Sequence, residues 1–267
     1  MIKNKKLAPI IMICTLLVMV VAYFQSTNTS IDATMDKTNI IFGNNYISYV
    51  FDDQGDSFNL FGIHKLSDKS ILDHFEDISF NNENIEIKSF KLEKGFIKNN
   101  YQLFNIIVDV KVLSDDVENA DQIIILFDDN TTQAYDLGKL TLQNIGKFNE
   151  EDIVPKGGYT TVYPYPSLDV HLLNNSEETL YLNKITDLNG LFQYAFTANV
   201  KVGTNETFHL VIEEFNQEGN YDFYQITPIL HYSSSDGIKH YHMPGVLYRA
   251  LIPDEEKINL ILNLPTE

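Results

Sequence analysis

Phe104-Asn105-Ile106-Ile107-Val108-Asp109-Val110-Lys111-Val112 is the stretch whose reading decides the fold. Apolar, β-branched and aromatic residues run and alternate through it with period two, the spacing of a strand with one face buried. The same texture recurs at 46–51, 85–92, 122–127, 168–173, 179–185, 191–202, 207–215, 222–232, 239–242, 245–252 and 258–264. Asn189-Gly190 and Asp236-Gly237 supply the positive φ that tight hairpins require. Only residues 70–77 read as a helix, with Ser70 as cap, Asp73 completing a capping box, and Ile71, Leu72 and Phe75 as an apolar stripe. Strands recurring roughly every 8–15 residues with almost no helix to form crossovers predict an all-β chain of antiparallel sandwiches.

Working outward, the chain repeats itself. Ile78-Ser79-Phe80-Asn81-Asn82-Glu83-Asn84-Ile85-Glu86-Ile87 has a counterpart in residues 170–182, VHLLNNSEETLYL. Each copy is followed by a glycine (Gly95, Gly190), an aromatic-rich strand, and the ending Val110-Lys111-Val112 or Val200-Lys201-Val202. Three features in one order at similar offsets indicate a duplicated unit. The charged Pro/Gly stretch 149–158 reads as the linker. The expected organisation is an N-terminal segment over 1–37, a first β-sandwich domain over 38–150 and a second over 151–267.

The strand, Asn174-Asn175-Ser176-Glu177-Glu178-Thr179, strand opening of the second half, with long alternating strands after it, resembles the immunoglobulin-like modules of membrane-anchored or secreted proteins of Gram-positive bacteria. The resemblance spans residues 75–265. It implies two tandem immunoglobulin-like antiparallel sandwiches that bind, space or assemble. The cysteines and tryptophan of antibody-type domains are absent, so no functional residue carries over.

Lys3, Lys5 and Lys6 precede an uncharged run from Leu7 to Phe24, interrupted only by Pro9. That is long enough to cross a bilayer as a helix, and the positive-inside rule keeps the lysines in the cytoplasm and sends the rest of the chain outside. An uncleaved anchor over residues 7–24 and a secretory signal cleaved near Val20 and Ala22 are both readings of this segment. Cys14, the single cysteine, lies within the run; the residues before it lack the small side chain of a lipidation site, so it reads as a small hydrophobe and the outer fold holds without disulfides. Residues 1–37 carry net +2 and the remainder −20, within a whole-chain charge of −18. One arginine and so acidic a body exclude nucleic acid as a partner. An unidentified protein or cell-envelope component is the expected one.

No nucleophile elbow, H-E-x-x-H, P-loop or G-x-G-x-x-G occurs, and Glu213-Glu214 on one strand point to opposite faces. Glu213, His209 and Glu86 are left to meet partners from other strands. The densest chemistry lies at His231, His240 and His242 in His231-Tyr232-Ser233-Ser234-Ser235-Asp236-Gly237-Ile238-Lys239-His240-Tyr241-His242. A two-residue loop of Asp236-Gly237 pairs His231 with His242, a loop of Ser234 to Gly237 pairs it with His240, and a three-residue loop places it opposite Tyr241. Either of the first two gathers three imidazoles on one face, a donor set for Zn²⁺ or Cu²⁺. The same residues also read as a solvated hairpin face or a pH-sensitive contact surface. Acidic turns at 52–56, 115–118 and 128–130 offer oxygens for Ca²⁺ but lack the EF-hand spacing. Tyr163-Pro164-Tyr165-Pro166 reads as an extended, edge-blocking segment or a docking segment.

The functional expectation is a membrane-tethered, extracytoplasmic module that binds, adheres or assembles at a bacterial cell surface without catalysis. A metal-binding protein, or a metal-dependent hydrolase using the three histidines, is the second reading.

Overall fold

The computed structural model describes residues 37–267 apart from 54, 67–69, 149–151, 163–166, 244–246, 250–251 and 265–267. The predicted span at 7–24 and the Tyr-Pro repeat at 163–166 lie outside the described residues. Among the described residues no helix is long and apolar enough to cross a membrane.

Among the described residues, eighteen strands build four sheets. The first runs in the order β1 (Ile40–Phe42), β3 (Asp56–Lys65), β6 (Tyr101–Val112), β5 (Ile85–Lys98). The second runs β18 (Leu247–Arg249), β15 (Phe223–Ile226), β2 (Asn45–Phe51), β8 (Thr132–Asn144), β7 (Val117–Phe127), β4 (Phe75–Phe80). The third is β13 (Thr207–Ile212), β10 (Ser167–Asn174), β9 (Ile153–Val162). The fourth is β14 (Asn216–Gln217), β12 (Phe192–Val202), β11 (Leu180–Thr186), β16 (Ile229–Ser234), β17 (Gly237–His242). The all-β expectation is met, and the opening stretch is β6, whose Phe104, Ile106, Val108, Val110 and Val112 are buried while the residues between them are only partly covered.

The repeat seen in the sequence reappears in the register. Ile85, Glu86 and Ile87 pair with Val112, Lys111 and Val110, and the ladder then shifts at a bulge. Leu180, Tyr181 and Leu182 pair with Val202, Lys201 and Val200, and that ladder shifts at the same place. The strand before each hairpin pairs in turn with the strand after it, β4 with β7 and β10 with β13. Inward residues of the third and fourth sheets, among them Leu168, Val170, Leu172, Leu182, Ile185, Leu210 and Leu230, fill one core. Burying each such side chain contributes about 1.5–3 kcal/mol.

Strand β2 belongs to both halves. Parallel partners flank it, β8 from residues 132–144 and β15 from residues 223–226, the only parallel pairings among the described residues. All seven of its residues are buried, as befits a strand covered on both faces. Its Tyr46 enters the second core, stacked on Phe192 at 5.7 Å and against Tyr221 at 4.7 Å.

Four sequence expectations are corrected. The span 222–232, read as one strand, breaks at Thr227-Pro228 into β15 and β16, which lie in different sheets. The stretch read as a linker, 149–158, is strand β9 from Ile153 onward. Residues 70–77 form a 3₁₀ turn, Ile71–His74, that runs straight into β4; Ser70 makes no side-chain cap, and the Asp73 carboxylate is taken by Lys94 at 2.5 Å. Residues 258–264 form no strand but the latter part of α1 (Asp254–Ile261) and its terminal turn. Pro253 at the cap and Asp254, Glu255 and Glu256 in the first turn favour a helix start there. Apolar residues at 258, 260, 261 and 262 satisfy the helical period as well as the strand one. Ile258 and Ile261 pack on Phe61, Ile63, Leu103, Phe223 and Ile252. Lys98 ties the helix down through Glu255 at 2.7 Å and Asn259 at 3.1 Å.

Candidate functional site

On β10, Leu168, Val170 and Leu172 face the core, so Asp169 and His171 face outward. On β13, Leu210 and Ile212 face the core, so His209 and Val211 face outward. The register places His171 directly opposite His209. Their rings lie parallel, 9° apart in plane, with centroids at 3.9 Å. His209 Nε2 meets Asp169 Oδ1 at 2.6 Å. The His209 and Asp169 side chains remain 43% and 50% exposed. Among the described residues, Asp169, His171 and His209 are the set of three whose ligand atoms all lie within 4.8 Å of one another.

The histidine hairpin takes the Ser234-to-Gly237 register, so His231 pairs with His240, and His242 falls opposite Ile229. The His231 and His240 rings meet edge-on, 84° apart in plane with centroids at 4.5 Å. His231 Nε2 lies 2.6 Å from the Thr186 hydroxyl, turned toward β11, and His242 sets its ring edge-on to Phe148 at 6.5 Å. Burial, with smaller contributions from His240, Lys184 and His242, pushes His231 down to about 4. Burial and His240 push His242 down as well.

These shifts fix a sign for acid stability. Between the ordinary histidine value near 6.5 and about 4, the unfolded chain holds a proton at position 231 that the folded chain refuses. Stability from His231 is therefore present above that window and lost as the pH falls through it. Allowing for solvent screening, the loss is about 2 kcal/mol. Thermal unfolding of wild type and His231→Gln across this range should show a shallower acid decline in the variant. Parallel curves would refute the assignment.

The acidic turns are held by their own neighbours. Lys37 Nζ donates to Asp129 at 2.6 Å and, with Thr131, keeps that carboxyl at about 2. Glu118 accepts from Ser114 at 2.5 Å and from Asn82 and Asn84, each at 2.8 Å. Asp53 accepts from Asn144 at 3.2 Å. Glu213 follows the end of β13, exposed, as is its neighbour Glu214.

A buried polar cluster lies where the loop after β11 meets β2. Tyr46 donates its hydroxyl to Asp187 Oδ2, the Phe192 N–H donates to Asp187 Oδ1 at 3.0 Å, and Asn189 donates to Tyr46 at 3.1 Å and Thr141 at 2.7 Å. Burial and the Asp187 charge push the Tyr46 phenol far above its ordinary range. A phenol held this firmly protonated and this thoroughly hydrogen-bonded fastens the loop to the sheet.

His171 and Asp169 are legible in the sequence as a D-x-H on one strand face. Their partner His209 stands alone on a strand 38 positions away, and only the β10–β13 register unites them.

No protein-family model matches the chain, and no curated protein matches it. Two solved structures are similar over 77% of the chain: the YadV chaperone, at 10% identity, complete coverage of that chain and TM-score 0.23, and the C-terminal domain of the Streptococcus pyogenes antigen I/II-family protein AspA, at 7% identity, 98% coverage and TM-score 0.22.

Proposed function

We propose that this chain is a non-catalytic binding, adhesion or assembly module, held outside a bacterial membrane by residues 7–24, that engages its partner by accepting an extended segment along β13. The observation that carries this reading is the composition of one sheet edge. β13 closes the third sheet, and its six residues, Thr207-Phe208-His209-Leu210-Val211-Ile212, include no acid, lysine, arginine, proline or glycine. Its pairing with β10 is unbroken from Leu168–Ile212 to Leu173–Thr207. Natural sheets blunt their edges with charges, prolines, bulges or brevity. The opposite edge of this sheet, β9, does so with Pro155, Gly157 and a shift in register. Edge strand β5 carries four lysines and two glutamates, β4 carries Glu76, Asp77 and a shift in register, β17 carries Lys239, and β1, β14 and β18 are three residues or fewer. β13 alone among these is long, regular and unguarded, with Val211 55% exposed. Such an edge gives affinity through main-chain hydrogen bonds and specificity through alternate side chains. The net −20 beyond residue 37 keeps the module off anionic headgroups, leaving its edges accessible.

The test is a photo-crosslinking residue at position 211 of the full chain in the producing cells, compared with one at Ile97, which is 51% exposed on β5. A discrete adduct from position 211 and none from 97 is expected. No adduct at 211, or the same adduct from both positions, would overturn the reading.

A further inference from the structure

We propose that Asp169, His171 and His209 form a binding site for a divalent transition-metal ion of the Zn²⁺ class on the outer face of β10 and β13. The inference goes beyond the binding reading above and stands without it. Two imidazole nitrogens and one carboxylate oxygen suit Zn²⁺ or Cu²⁺ and poorly suit Ca²⁺ or Mg²⁺, which take oxygen ligands. Three protein ligands leave a fourth tetrahedral position open for water or a group from a partner.

The geometry is close to what such an ion needs. With metal–ligand distances of about 2.0–2.1 Å, tetrahedral ligand atoms sit roughly 3.3 Å apart. His209 Nε2 and Asp169 Oδ1 stand at 2.6 Å, and the two rings at 3.9 Å between centroids. Seating an ion therefore opens the first pair by less than an ångström and splays the rings from parallel into a wedge. Both movements are rotations about the second side-chain torsion, which is soft for histidine and aspartate. The backbone does not need to move, because the register already fixes which side chains face one another.

The second cross-strand histidine pair shows the contrast. His231 and His240 meet edge-on, an arrangement that ring quadrupoles favour, and His231 is turned away toward Thr186. His171 and His209 stack in parallel with a carboxylate at one ring nitrogen, so that three lone-pair donors converge on one region of exposed surface. Because the ligands come from adjacent strands, a bound ion would also clamp the unguarded edge strand β13 to β10.

Calorimetric titration of the detergent-solubilised full chain with Zn²⁺, after chelator treatment, tests the site. One equivalent is expected, with affinity lowered roughly tenfold or more in His171→Ala and in His209→Ala. His240→Ala should bind as wild type does. Co²⁺ in place of Zn²⁺ should give the visible absorption of a low-coordinate site in wild type and lose it in His209→Ala, with far-ultraviolet circular dichroism showing each variant folded. The proposal fails if wild type takes up no saturable Zn²⁺, if His171→Ala and His209→Ala bind unchanged, or if His240→Ala is the variant that loses the ion.

Discussion

Asp187→Ala is expected to lower stability by about 3 kcal/mol, read as a shift in the urea midpoint at constant slope. Asp187 is 2% exposed and Tyr46 is wholly buried. The carboxylate accepts from the Tyr46 hydroxyl and, at 3.3 Å, the Asn189 N–H on one oxygen, and from the Phe192 N–H at 3.0 Å on the other. Alanine strands the two fully buried donors, Tyr46 and Phe192, and each unmatched donor costs about 1–3 kcal/mol. Tyr46→Phe should cost a comparable amount for the opposite reason, since it leaves a buried carboxylate with one donor fewer. Because the two residues share one bond, the double variant should lose clearly less than the sum of the singles. A loss below about 1 kcal/mol for Asp187→Ala, or strict additivity, would show that the cluster does not fasten the loop to β2. Asp187→Asn preserves shape and one acceptor, so its smaller loss would separate the missing charge from the missing volume.

That cluster also marks where sequence reading stops. The strands are legible because period two is a local property: β6, β10 and β13 each alternate buried and solvent-facing residues just as their sequences do. The duplicated hairpins are legible for the same reason, since the Val-Lys-Val ending and the turn before it lie on strands that pair within one hairpin. What joins distant strands is not local. Nothing in Asn45-Tyr46-Ile47-Ser48 announces parallel partners on both sides, one from residues 138–144 and one from 223–226. The candidate metal site fails to show for the same reason, with His209 isolated in sequence and completed only by pairing. The hairpin of His231 and His240 drew attention because its histidines are crowded in sequence. There the register was one of three allowed by the loop, and the side chains chose Thr186 and Phe148 as neighbours. Residues 258–264 misled for a different reason: Ile258, Leu260 and Leu262 fit both periods, and the acidic first turn behind Pro253 decides for a helix.

Gly138→Ala should be nearly as damaging, at about 3 kcal/mol, and the reason lies in the parallel seam between β2 and β8. Gly138 sits in a bulge, where the β7–β8 ladder shifts between Ala120 and Gln122, and it takes a φ of +97°. A left-handed conformation alone costs an alanine about 1–2 kcal/mol. Here a Cβ would also fall 2.3 Å from the Asn45 carbonyl oxygen and 2.7 Å from the Asn45 nitrogen. Those are backbone atoms of the paired strand, so no side-chain rotation relieves the overlap, and β2 must draw away from β8. Asn45 cannot yield cheaply, being 1% exposed and donating to the Gly43 and Leu137 carbonyls at 2.6 and 3.2 Å. The seam also walls the cleft of about 320 Å³ lined by Phe42, Gly43, Asn44, Asp121, Asp136 and Gly138, which would change shape as the strands part. Gly190→Ala supplies the comparison: its φ is +72°, yet nothing lies within 4 Å of the added Cβ. It should therefore lose only the conformational part, about 1 kcal/mol. Equal losses in the two variants, measured by urea unfolding side by side, would mean that the close approach of β2 to β8 contributes nothing and that backbone conformation alone selects glycine at position 138.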